Sequence, residues 1–158
     1  MAFNGDTIEF DAQGIDAGEV LASHVNNTES FTTFQSGLII GRFAKYDTGS
    51  LDILDGSATP TIAGVVKRNL TGDLSKVVYD TNDDAADCVN FGYVTVDVVA
   101  GNTPAKYGAV YAENAGVNAG ADYGKATTLA TGNVAIANAD FWEEVKTNVW
   151  VVRLKSII

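Results

Sequence analysis

Apolar and polar residues alternate most clearly between Asn90 and Gly101, where the sequence reads NFGYVTVDVVAG. One side of the pleat takes Val94, Val96 and Val98, and the other side takes Tyr93, Thr95, Asp97 and Val99. β-Branched and aromatic residues dominate, which favours a strand with one face in a core and one face partly in solvent. Pro104, which has no N–H to donate to a neighbouring strand, ends the pattern. We therefore expect a central strand of a β-domain.

Shorter strand patterns recur along the rest of the chain, separated by Gly, Asp or Asn. They cover residues 37–46, with a glycine bulge at Gly41, and then 51–54, 61–68, 76–79, 109–112, 127–129, 134–137 and 148–154. Residues 141–146 suit either a helical turn or the start of a strand. Because no 3.6-residue period is sustained, the pattern predicts an all-β fold, a small antiparallel β-barrel or sandwich.

The first 36 residues differ in composition from the remainder. Residues 1–41 contain six acidic residues and no Lys or Arg, and Phe3, Ile8 and Phe10 are isolated apolar anchors in this acidic stretch. We expect an N-terminal arm or edge segment over 1–36 and a β-barrel or sandwich domain over 37–158. Asp16 predicts the N-cap of a short helix through Val25, although Gly18 weakens such a helix by about 1 kcal/mol.

Charge and cysteine content narrow the classes of partner. The 158 residues carry a formal charge of −10, from twenty acidic and ten basic side chains. This balance argues against nucleic acid and against anionic membrane surfaces as partners, since both attract clustered Lys and Arg. Cys88 is the only cysteine, so no disulfide can form within the chain. No signal peptide is recognisable, and we expect synthesis in a cytoplasm.

Candidate catalytic and metal-binding residues are few. His24 is the only histidine and has no serine motif with which to form a triad. The acidic loop over residues 80–87 would raise the pKa of Cys88 rather than activate it. That loop resembles the start of a calcium-binding EF-hand but has Ala85 where glycine is required and Phe91 where glutamate is required. We therefore predict no enzyme activity, no cofactor and no metal.

The aromatic residues suggest one further function, a sugar-binding face. The candidates are Tyr93, Tyr107, Tyr111, Tyr123, Trp142 and Trp150. Trp150 lies within an apolar strand pattern and is more simply explained as core. A carbohydrate-binding β-sandwich stays open as an alternative on these residues.

Several phrases, taken in order, resemble the capsid decoration or structural cement proteins of tailed bacteriophages. They are Gly-Arg-Phe-Ala leading to Tyr46-Asp-Thr-Gly49, then Ile62-Ala-Gly-Val-Val-Lys-Arg68, Phe91-Gly-Tyr-Val-Thr-Val-Asp-Val98, Thr103-Pro104, Tyr107-Gly-Ala-Val-Tyr111 and Val149-Trp-Val-Val-Arg-Leu154. They cover about three quarters of the chain, and residues 1–36 match nothing in that family.

The resemblance implies a small β-tulip-like barrel or sandwich on the outer surface of an icosahedral head in the virion. It implies major capsid protein as partner and a homotrimer, with a dimer as the alternative. Phe3, Ile8 and Phe10 then become predicted capsid contacts of an extended N-terminal arm. Tyr93, Thr95 and Asp97, on the second face of the central strand, become predicted subunit-interface residues. A phage tail or neck component is the alternative role.

Overall fold

The computed structural model describes residues 16–21, 25–35, 37–69, 76–80, 83, 85–114 and 120–155. These residues contain strands and turns but no helix. The strands are β1 (Asn27–Phe31), β2 (Leu38–Ile39), β3 (Phe43–Asp47), β4 (Ser50–Ile53), β5 (Ile62–Val66), β6 (Val78–Tyr79), β7 (Ala86–Asp97), β8 (Ala109–Ala112), β9 (Ala126–Thr127), β10 (Val134–Lys146) and β11 (Val149–Lys155). The prediction of an all-β fold is confirmed.

One curled antiparallel sheet forms most of the structure. Its strands follow the order β4-β3-β5-β7-β11-β10-β8-β9, and β1 also pairs with β7, while β2 and β6 form a separate two-stranded sheet. The curl brings the far end of the order back to its middle: Val98, just after β7, bridges Ala126 of β9. Nearby, the Phe43 amide donates to the Gly124 carbonyl at 2.7 Å. The result is a half-barrel.

Strand β7 is central, as its alternating pattern predicts. It pairs antiparallel with β1, β5 and β11. Val94 and Val96 are fully buried in the main core, where they pack with Phe43 and Phe141. Burial of each such side chain stabilises the fold by roughly 1.5–3 kcal/mol, so this inner face provides much of the driving force for curling the sheet.

Residues before β1 pair with β7 and cover its second face around Thr95. Residues 16–21 run along β7, with the Gly18 amide donating to the Thr95 carbonyl (2.7 Å) and the Leu21 amide to the Tyr93 carbonyl (3.1 Å). Ala17 and Leu21 form a small buried cluster with apolar residues of β10 and β11. The helix predicted from Asp16 is therefore wrong over the described residues, because tertiary pairing with β7 replaces local helical hydrogen bonds.

One other predicted element differs from the structure, and for residues 141–146 the structure decides between the two alternatives. Residues 37–46 are not one strand, since Gly41, with φ of +82°, turns the chain between β2 and β3. A Cβ at Gly41 would lie 2.2 Å from the Cβ of Ala17, so only glycine fits this close approach. Residues 141–146 are strand rather than helical turn, and they belong to the long β10.

The region before residue 37 contributes to the sheet. Strand β1, which the sequence pattern did not predict, pairs with the first half of β7, and residues 16–21 lie against the second half. Phe3, Ile8 and Phe10 fall outside the described residues. An arm ahead of residue 16 and the domain division at residue 36 stay predictions.

Candidate interaction surface

A group of aromatic and basic side chains collects where β7, β10 and β11 lie side by side. The register places Tyr93 of β7 opposite Arg153 of β11, and Arg153 opposite Asp140 of β10. Directly opposite residues share a face of the sheet, so these three side chains lie together. Lys106 and Tyr107 reach the group from the loop between β7 and β8.

Trp142 joins the group through an irregularity in β10. Phe141 pairs with Val152 and Glu143 pairs with Val151, which leaves Trp142 as an extra residue in a β-bulge. Phe141 is fully buried in the main core, while the Trp142 ring packs on the opposite face near Tyr93. Alternation along the strand places Phe141 and Trp142 on opposite sides of the sheet, and the bulge sets Trp142 and Glu143 together opposite Val151.

Tyr107 is held in an unusual backbone conformation. Its φ is +67°, a region that costs a bulky side chain roughly 1–3 kcal/mol. The Tyr107 amide donates to the Phe141 carbonyl at 2.7 Å, and the Phe141 amide donates to the Gly108 carbonyl at 3.0 Å. These two bonds fasten the loop to β10, yet the Tyr107 side chain stays 61% exposed.

The rings and cations of this group contact one another at close range. Trp142 makes edge-to-face contacts with Tyr93 and Tyr107, with ring centroids 5.4 and 5.6 Å apart. The Lys106 Nζ lies 4.2 Å from the Trp142 ring centroid, and the Arg153 guanidinium carbon lies 5.1 Å from it. Such cation–π contacts contribute about 0.5–1 kcal/mol each at exposed sites. We call Tyr93, Lys106, Tyr107, Trp142 and Arg153 the aromatic–basic surface.

Asp140 orients the basic residues at one border of this surface. Its carboxylate accepts two hydrogen bonds from Arg153, at 3.0 and 2.6 Å, and lies 2.6 Å from the Lys155 Nζ. Burial alone would raise the pKa of Asp140, but the hydrogen bonds from Arg153 and Lys155 outweigh it and hold the pKa below its ordinary value. The hydrogen bond to Asp140 in turn raises the pKa of Arg153.

The three residues predicted for a subunit interface have different surroundings. Tyr93 is half-buried within the aromatic–basic surface. Thr95 is fully buried, and its hydroxyl donates to the Asp16 carbonyl at 2.6 Å and accepts from the Glu19 amide at 2.9 Å. Thr95 is thus covered within its own chain, so a neighbouring subunit would meet the covering segment instead.

Asp97, the third of these residues, faces Arg42 at 3.9 Å. Burial raises the pKa of Asp97, and the nearby Arg42 charge opposes that shift. Whether Tyr93 and Asp97 contact another subunit stays a prediction.

The other candidate residues from the sequence lie elsewhere. Cys88 lies within β7 rather than in the acidic loop, because the strand begins at Ala86, and burial raises the pKa of its thiol. His24 falls outside the described residues, as do Asn82 and Asp84 of the acidic loop that resembles the start of an EF-hand. Among the residues that are described, no group of three or more His, Cys, Asp or Glu side chains could hold a metal ion. That same part of the chain has no helix of the length and apolarity required to span a bilayer.

Sequence reasoning identified part of the aromatic–basic surface. Tyr93, Tyr107 and Trp142 were candidates for a sugar-binding face, but Tyr111 and Tyr123 do not join them, and Trp150 packs on Phe141 with ring centroids 5.8 Å apart. Lys106 and Arg153 were missed. Lys106 precedes Tyr107 in the sequence, but Arg153 has only apolar neighbours, and the pairing of β7 with β11 was required to place it.

Comparison with known proteins identifies the family. Residues 9–156 match the model of the XM1 gp53 minor capsid protein family. This chain belongs to that family. A solved structure described as "The capsid of Myoviridae Phage XM1" contains a chain that is 45% identical to it, with a TM-score of 0.85 and full coverage of both chains. No curated protein sequence matches.

Membership of this family gives the minor capsid protein a structural role in a phage capsid. It confirms the resemblance to capsid-associated phage proteins that the ordered phrases indicated.

Proposed function

We propose that this minor capsid protein is a decoration or cement protein. In this proposal it binds the outer surface of the icosahedral head, bridges adjacent major capsid subunits and stabilises the shell. The observation that carries the proposal is the match to a minor capsid family over residues 9–156, together with full-length similarity to a chain from a phage capsid.

Bridging explains how a small protein would stabilise a large shell. A subunit placed across the seam between two capsid subunits must lose its contacts before the seam can open. In a homotrimer, or a dimer, several seams are engaged at once, and each later contact forms at a high effective concentration. Many weak contacts then resist the outward pressure on the shell together.

The fold suits such a role. The long antiparallel pairings of β7, β10 and β11 tie the middle of the sheet together through seven paired positions between β7 and β11 alone. A sheet hydrogen-bonded in this way transmits force between its edges with little deformation. The net charge of −10 also disfavours contact with packaged DNA, which is consistent with the outer rather than the inner surface.

The alternative, a carbohydrate-binding or tail-associated module, draws support from Tyr107, an exposed aromatic ring. A sugar would need a flat ring face for stacking, but Lys106 and Arg153 already lie over the neighbouring Trp142 ring. This arrangement favours protein contacts over sugar stacking at Trp142.

Co-sedimentation with expanded, empty capsids that lack this protein tests the proposal. We expect saturable binding at a fixed ratio to the major capsid protein, and a higher melting temperature for the decorated capsids. Binding to purified tails but not to capsids would support the tail alternative, and specific signals on a glycan array would support the carbohydrate alternative. The absence of capsid binding would refute the cement proposal.

A further inference from the structure

We propose that the aromatic–basic surface binds residues 1–15 of a second copy of the chain. The inference deepens the proposed function, on which its biological purpose rests, by naming a contact between copies on the shell. It concerns the association of the chain with itself, so it is tested without capsids.

Two aromatic residues on this face are exposed to solvent. Tyr107 is 61% exposed and Phe91 is 39% exposed. Phe91 of β7 pairs with Lys155 of β11, two residues along each strand from the Tyr93–Arg153 pair. Because residues two apart on a strand share a face, Phe91 and Lys155 extend the aromatic–basic surface. The backbone holds Tyr107 at φ of +67°, and although its ring contacts Trp142, most of the residue stays exposed. A ring held outward at a cost is suited to contact with another molecule.

The basic side chains of the surface are only partly neutralised. Lys106 has no carboxylate partner among the described residues, and Arg153 and Lys155 share the single carboxylate of Asp140. Glu143, which follows Trp142 along β10, lies opposite Val151 of β11. A locally basic, aromatic area on a chain with a net charge of −10 is complementary to an acidic segment that carries apolar side chains.

Residues 1–15 have this composition. They contain three acidic residues (Asp6, Glu9 and Asp11), no Lys or Arg, and the apolar anchors Phe3, Ile8 and Phe10. Acidic residues would pair with Lys106 and Lys155, while the anchors would pack on the rings of Tyr107 and Phe91. An apolar contact ringed by opposite charges resembles the general anatomy of protein interfaces.

The direction of the chain favours a second copy over the same copy. Asp16 lies at the Lys146 end of β10, where the two side chains form an ion pair. From there the chain runs past Thr95 to Leu21 at the level of Tyr93, and so toward the aromatic–basic surface. To reach this surface in the same copy, residues before Asp16 would have to turn back along residues 16–21, which already lie against β7. The same residues of a second copy need no such reversal.

Mixed-isotope cross-linking of the full chain tests the proposal. Phe10 is replaced by the photo-reactive p-benzoylphenylalanine, nitrogen-15-labelled and unlabelled copies are mixed, and cross-linked peptides are mapped by mass spectrometry. We expect cross-links from position 10 to peptides that contain Tyr107 or Trp142, and we expect heavy–light pairs among them. Cross-links within single copies only would assign the surface to the chain's own segment and overturn the proposal, as would the absence of cross-links to these peptides.

Sedimentation of charge variants provides a second, independent measurement. Lys106→Glu should weaken self-association about tenfold, which corresponds to about 1.4 kcal/mol, and should lower the melting temperature only slightly, through loss of the contact with the Trp142 ring. Lys67→Glu makes the same charge change in the segment after β5, outside the aromatic–basic surface, and is the matched control that should have no effect. Equal behaviour of the two variants would overturn the proposal. Capsid co-sedimentation fails separately if the cement function itself is wrong.

Discussion

Replacement of Thr95 by valine is predicted to weaken the attachment of residues 16–21 to the sheet while leaving the rest of the fold intact. The Thr95 hydroxyl is fully buried and makes two hydrogen bonds to this segment, to the Asp16 carbonyl (2.6 Å) and from the Glu19 amide (2.9 Å). Valine has nearly the same shape but can make neither bond. The segment would then be held only by its backbone bonds and by the packing of Ala17 and Leu21.

The magnitude follows from the groups left without partners. Each lost hydrogen bond costs about 0.5–1.5 kcal/mol, and a buried donor without a partner costs about 1–3 kcal/mol. Glu19 is only partly buried, so water can reach its amide and the penalty falls toward the lower end. The extra methyl group of valine returns about 0.8 kcal/mol. We therefore expect a net loss of about 1.5 kcal/mol.

Hydrogen exchange measures this loss where it occurs. The amides of Gly18, Glu19 and Leu21 should exchange about tenfold faster in Thr95→Val, since 1.4 kcal/mol corresponds to a factor of ten. Thr95→Ser retains the hydroxyl and is the matched control, with protection of the Glu19 amide close to that of the wild type. Equal protection of Glu19 in the valine and serine variants would refute the reasoning.

Three further predictions concern charge, close packing and the N-terminal segment. Asp140→Asn should cost about 2 kcal/mol of unfolding free energy at neutral pH, because it breaks the paired bonds from Arg153. The pKa of Asp140 is lower in the folded chain than its ordinary value of 3.8, so this stabilisation is present above that value and is lost as the pH falls through the folded pKa. Gly64→Ala should destabilise the chain by more than about 3 kcal/mol, because its φ is +153° and a Cβ would lie 2.4 Å from the Val89 carbonyl oxygen. Deletion of residues 2–12 should weaken capsid binding and leave the β-domain folded.

Each of these predictions has its own decisive measurement. For Asp140, urea unfolding from pH 7 to pH 3 should show the difference between wild type and variant shrinking below about pH 4, and a constant difference would contradict it. For Gly64→Ala, the loss of unfolding free energy is compared with that of the matched control Gly49→Ala. At Gly49 nothing lies within 4 Å of the Cβ position, despite a φ of +85°. For deletion of residues 2–12, a lower melting temperature together with weaker capsid binding would indicate that these residues form an edge strand of the domain. Unchanged capsid binding would exclude the arm.

Much of the sheet could be predicted from the sequence because its signals are local. Alternation of valine with polar residues identified β7, and the second strong run of β-branched residues identified β11. The turn residues Asp47, Thr48 and Gly49 correctly separated β3 from β4. Each of these signals depends only on neighbouring residues, through side-chain alternation or through the conformational freedom of a turn.

The elements that were missed depend on contacts between distant parts of the chain. Strand β1 has no alternating apolar pattern, and it forms because β7 offers it an open edge. Residues 16–21 contain a helix-capping signal, but the hydroxyl and backbone groups around Thr95 satisfy the same hydrogen-bonding groups more completely. Gly41 resembled a bulge within one strand, and its contact with Ala17 makes it a turn between two sheets.

The sequence by itself determined the fold class, the acidic character and the resemblance to phage capsid proteins, since composition, alternation and the order of short phrases are properties of the linear chain. Only the tertiary structure decided which face of β7 is open and which side chains meet there. The register of β7 with β11 placed Tyr93 beside Arg153, and the register of β10 with β11 placed Asp140 and Trp142 on the same face. Register and bulges are set by pairing between strands that are far apart in sequence, and so the aromatic–basic surface exists only once the sheet has formed.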